Sequence, residues 1–119
     1  MRLGVKEERS AELASSPAAT LAAYRRATVR LGWEIVEQAD DRLVAMEVPF
    51  RLECGARPAV VELGVRPARG GGTTVTMEGA RRGRRAGELG AQLDEIERRA
   101  RERLPAGSGP IVGRSWSAR

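Results

Sequence analysis

The sequence predicts an α+β protein: a two-layer sandwich in which a five-stranded, mainly antiparallel sheet, in the order β-α-β-β-β-β-α, carries two helices on one face. Three observations predict it. Residues 33–48, Trp-Glu-Ile-Val-Glu-Gln-Ala-Asp-Asp-Arg-Leu-Val-Ala-Met-Glu-Val, alternate in polarity on either side of an Asp-Asp pair, the pattern of a hairpin. Apolar residues recur at three- and four-residue spacing after Ser16-Pro17 and again from Leu89, the pattern of two amphipathic helices. Two further alternating runs, 59–65 and 73–78, are joined by Gly70-Gly71-Gly72, a hairpin loop.

Leu3 and Val5 alternate with Arg2, Gly4 and Lys6, which predicts a short first strand before the polar stretch 7–10. Ser16 is a helix cap, because its hydroxyl can accept from a free first-turn amide, and Pro17 loses nothing at the first helical position. Leu21, Tyr24, Thr28 and Leu31 form the buried stripe of that helix, Arg25, Arg26 and Arg30 its wet side, and Gly32 its end. In the hairpin that follows, the turn is Asp40-Asp41 or a four-residue loop over 39–42; both give the same facing pairs. Trp33 meets Val48, Ile35 meets Met46 and Glu37 meets Val44 on the inner face, while Glu34 meets Glu47 on the outer one.

The path of residues 49–58 is not readable. Ala59, Val61, Leu63 and Val65 then form the inner face of a strand that Pro67 stops. Val75 and Met77 point inward in the last strand, Thr74, Thr76 and Glu78 outward, and 79–87 is a basic, glycine-rich connection. Leu89, Leu93, Ile96, Ala100 and Leu104 fall on one stripe of the second helix, closed by Pro105. Residues 1–104 thus form one domain, and 105–119 a disordered tail or one ordered by a partner.

Composition excludes more than it selects. With no histidine among 119 residues, histidine acid/base catalysis, Ser-His and Cys-His pairs and the common zinc sets are absent. A single cysteine, Cys54, forbids an internal disulfide, and the start of the chain lacks the apolar run of a signal peptide, so a reducing cytoplasm is expected. No segment is apolar enough to span a membrane. Only 3% of residues are aromatic, too few for a base-stacking platform. The net charge of +5 comes from twenty Arg and one Lys against sixteen acids, a balance that favours polyanions but that a biased genome also produces.

Two constellations remain. Arg81, Arg82, Arg84 and Arg85 precede the second helix, where cations oppose the helix dipole, and they are candidates for a sequence-indifferent phosphate or nucleic-acid clamp. A solvated loop balanced by Glu88 is the plainer explanation. Glu34, Glu47, Glu62 and Glu78 share the outer sheet face and, with Trp116 of the tail, are candidates for contact with a protein partner. Crowded carboxylates can also serve as an acid/base pair, and neutralisation by Arg2, Lys6 or Arg66 explains them more simply.

The helix ending Arg-Leu-Gly-Trp, the hairpin after it and the amphipathic last helix give 1–104 an element order that resembles the small helix-grip domains. These are the TATA-binding-protein-like and BamC-like folds and, more remotely, the polyketide-cyclase/START group. The resemblance implies the two-layer fold and, in the START group, a small apolar ligand held between sheet and helices. It carries no functional motif. The expected function is a non-enzymatic interaction module, either a subunit of a larger assembly or a homo-oligomer, with no cofactor or metal. Nucleic-acid binding and small-ligand carriage are the alternatives.

Overall fold

A computed structural model describes residues 4–48, 58–82, 88–104 and 116–117. The chain runs β1 (Gly4–Leu13), α1 (Pro17–Arg30), β2 (Trp33–Ala39), β3 (Arg42–Glu47), β4 (Val60–Pro67), β5 (Thr73–Arg82), α2 (Leu89–Glu102) and a two-residue strand, β6 (Trp116–Ser117). The five long strands form one antiparallel sheet in the order β2-β3-β4-β5-β1, and β6 lies beyond β1. Both helices pack on one face and against each other, which makes the fold an α+β sandwich.

Local signals act as the sequence implies at α1. Ser16 Oγ accepts from the Ala19 amide at 3.2 Å, Pro17 opens the first turn, and Gly32, at φ 96°, ends the helix. Leu21, Tyr24 and Thr28 are buried there, and Leu89, Leu93, Ile96 and Ala100 are fully buried on α2. The loop between β4 and β5 closes through Gly71 and Gly72, both at positive φ.

Two strands are longer than their letters suggest. β1 continues through 7–10 to Leu13, pairing with β5 over ten consecutive residues, and β5 continues to Arg82. The charged residues of β1 hide a half-buried strand because Arg9 is satisfied on the helix side. Its Nε donates to Asp94 of α2 at 2.9 Å and its Nη1 to Glu7 at 3.1 Å. Burial works against that charge, yet the two carboxylates hold the Arg9 pKa above its ordinary value.

The hairpin departs from the expected register at one residue. Asp40-Asp41 is a two-residue turn, and Gln38 opposite Leu43 and Glu37 opposite Val44 follow the expected pairing. A bulge at Val36 then shifts the ladder by one, so that Ile35 faces Ala45, Glu34 faces Met46 and Trp33 faces Glu47. On β3 the buried residues are therefore Leu43 and Ala45, packed beside Leu63 and Val61 of β4, and Val44 and Met46 lie on the outer face. Glu34 and Glu47 are not opposite each other. The extra residue is what lets β3 bury Leu43 while β2 still buries Trp33.

The layers meet closely. A Cβ on Gly79 of β5 would lie 3.0 Å from Leu93 Cδ2 and 3.1 Å from Leu89 Cδ1, so glycine there lets α2 approach the sheet. Gly79→Ala should cost about 1–3 kcal/mol by denaturant unfolding, the range for overpacking a tight interface. The gap lined by Arg9, Ala11, Tyr24, Val75, Met77 and Glu97 at this interface is about 10 Å³, room for about one water.

Candidate functional site

Among the described residues no element covers the face of the sheet opposite the helices. Ladder register arranges its side chains in rows. Glu8 of β1 stands opposite Glu78 of β5, Glu78 opposite Glu62 of β4, and Glu62 opposite Val44 of β3. On one side of this acidic row run Ser10, Thr76, Gly64 and Arg42; on the other, Lys6, Ala80, Val60 and Met46. Val60 is exposed, and Met46 and Ala80 are half-exposed, so the acids border a small apolar patch.

Gly64 lies in the middle of β4, where glycine weakens a strand. Close packing does not demand it, since a Cβ would meet only Thr76 Oγ1 at 3.4 Å and the Asp41 carbonyl at 4.0 Å. Over it lies a concavity of about 370 Å³, lined by Glu8, Arg9, Ser10, Glu62, Gly64, Thr76, Met77 and Glu78. A second lobe, about 260 Å³, opens beside it toward Arg42, Arg66 and Thr74.

Charge in this concavity is only partly balanced. Arg42 Nε donates to Glu62 at 2.7 Å and its Nη1 to Glu37 at 3.0 Å, but Glu8 and Glu78 form no salt bridge among the described residues. Like charges directly opposite one another in a ladder are destabilising. No group of three or more carboxylate or cysteine ligands is placed to hold a metal ion among the described residues.

The residues expected to form sites are distributed differently from their positions in the sequence. Glu62 and Glu78 are on the outer face and together, joined by Glu8. Glu34 is exposed near the β2 edge, opposite Met46. Glu47 is a correction: the bulge and the resulting inversion of β3 turn it to the helix side. There its Oε1 accepts from the Ala59 amide at 3.0 Å and its Oε2 from Gln92 of α2 at 2.7 Å.

Arg81 is the partner of Glu47 and a second correction. It lies on the inner face of β5, its side chain 0% exposed, with Nη2 2.7 Å from Glu47 Oε2 and 2.7 Å from Gln92 Oε1. A guanidinium so enclosed cannot reach a phosphate at the surface. The cause is the continuation of β5, whose alternation carries Arg81 inward after Met77 and Gly79. Burial raises the Glu47 pKa, but the Ala59 amide, Arg81 and Gln92 outweigh it and hold the carboxyl below its ordinary range. Arg82 ends β5, while Arg84 and Arg85, like Cys54, lie outside the described residues.

Trp116 belongs to β6 and faces Arg9 in the ladder, with Ser117 facing Glu8. Within the segment 105–119, expected as a disordered or partner-ordered tail, the described residues 116–117 pair as a strand. Glu8 was missed because 7–10 reads as a polar linker. The alternation of Ala11 and Leu13 with Ser10 and Glu12 was the signal that could have extended β1 and found it.

Neither a scan against protein-family models nor a comparison with curated proteins finds a match. The likeness to helix-grip domains thus stands at the level of a small α+β fold, an antiparallel sheet with two helices. No helix among the described residues is long and apolar enough to cross a membrane.

Proposed function

We propose that this protein is a non-enzymatic interaction module, and that the uncovered face of its sheet receives a basic side chain, Lys or Arg, from the surface of a partner protein. The observation that carries this reading is the row Glu8, Glu78 and Glu62 around the concavity over Gly64. A folded chain gains nothing from two carboxylates opposite a third, or from a glycine that packing does not require. A cation seated between them would offset both costs, and the bordering Val60 and Met46 supply apolar contact at the rim.

Other occupants fit less well. A second copy placed face to face about a two-fold axis through this patch would set the acidic row against itself. The clamp for nucleic acid loses Arg81 to the buried pair with Glu47. A carrier of apolar ligands needs a cavity of several hundred Å³, whereas the gap lined by Tyr24, Val75, Met77 and Glu97 among the described residues is about 10 Å³.

The test uses a fluorescent oligolysine peptide and its oligoglutamine counterpart, followed by anisotropy at low and physiological salt. Glu78→Gln should stabilise the fold by about 0.2–1 kcal/mol, because it relieves the like-charge row, and should weaken oligolysine binding several-fold. Asp40→Asn, at the distant hairpin turn, removes the same charge and should leave binding nearly unchanged. Equal loss in both variants would reduce the effect to net charge and reject the site.

A further inference from the structure

We infer that the outer edge of β1 is a second part of this docking surface, one that takes an extended basic segment of the same partner as an added strand, and that β6 is its built-in, displaceable occupant. The inference rests on the acidic-face reading and extends it. β1 is ten residues long and pairs with β5 without a single register shift, which leaves a straight ladder edge on its other side. Among the described residues, Glu8 and Arg9 of that edge pair with β6. An edge of this length is a template for another strand.

The opposite border of the sheet is built otherwise. β2 carries the bulge at Val36, an interruption of the kind that blunts an edge against strand addition. Only β1 presents a regular template.

Charge selects the kind of strand. Glu8 and Glu12 outnumber Lys6 along the outer face of β1, and Glu8 continues into the acidic row of β5 and β4, so a basic strand is attracted to this edge. Register gives the critical position. Ser117 stands opposite Glu8, and Glu8 continues into Glu78 and Glu62. A Lys or Arg at the Ser117 position of an incoming strand therefore extends the acidic row with its counter-charge. Among the described residues β6 holds that place with two, a short ladder against which a longer strand competes.

The probe is a labelled peptide of alternating Thr and Arg, with a second version in which the Thr residues are Pro and cannot donate ladder bonds. Two chains are compared with the full protein: one lacking 116–119, and the full-length Ser117→Pro variant. Both should bind the Thr-Arg peptide about tenfold more tightly, the factor expected if β6 covers the edge about nine-tenths of the time. Ser117→Arg should weaken binding by supplying the cation in place, and the Pro-Arg peptide should bind all chains weakly and alike.

Thr-Arg binding that is indifferent to the removal of β6 and to the proline substitutions overturns the edge inference and leaves the face reading standing. Absence of binding by any basic peptide to any chain overturns both. Dimerisation on sizing that disappears with residues 116–119 overturns it in favour of strand exchange between copies.

Discussion

Replacing Arg81 by Ala should cost about 3–5 kcal/mol of folding stability, the largest effect expected of any surface-free charge in this protein. The guanidinium joins β5 to β3 through Glu47 and to α2 through Gln92, and truncation leaves a carboxylate half-enclosed without its cation. Replacing both partners with apolar residues, Arg81→Met with Glu47→Leu, should recover most of the loss, since the desolvation cost disappears with the charges. The pH profile provides an independent check. Glu47 is held below its ordinary pKa when folded, so its contribution is complete above the ordinary glutamate range and is lost as pH falls through the lowered folded value. Urea midpoints measured from neutral to acid pH should fall less steeply in Arg81→Ala than in the parent. An unchanged slope would mean that Arg81 does not set the Glu47 pKa.

Leu43→Ala should cost about 2–5 kcal/mol, as removal of a fully buried leucine does. Met46→Ala on the same strand should cost far less, because Met46 faces outward and is half-exposed. The contrast tests the bulge at Val36 directly. An unbroken hairpin of the register first expected from the sequence would bury Met46 and expose Leu43, giving the opposite order. Thermal or urea unfolding of the two single variants decides between them.

That reversal shows where the letters of the sequence suffice and where they do not. The helices were legible because their information is local: Ser16-Pro17 and Gly32 bracket α1, and a 3.6-residue stripe from Leu89 to Ala100 has one way to face a sheet. Strands β4 and the start of β5 were legible for the same reason, as their two-residue alternation from Val61 to Val65 and from Val75 to Met77 is uninterrupted. In β1, Arg9 breaks the apolar pattern, and its burial is made tolerable by Glu7 beside it and by Asp94, 85 residues away in the chain. Arg81 is disguised in the same way by Glu47 and Gln92.

By itself the sequence determined the element order from β1 to α2, the two-layer α+β plan and the inner faces of α1, α2 and β4, because each follows from a period that one segment carries alone. Tertiary structure decided the face of β3, the lengths of β1 and β5 and the grouping of Glu8 with Glu78 and Glu62. Each of these depends on which strand lies alongside. A one-residue bulge reverses every side chain beyond it, and a charge is buried or exposed according to a partner that local pattern does not contain.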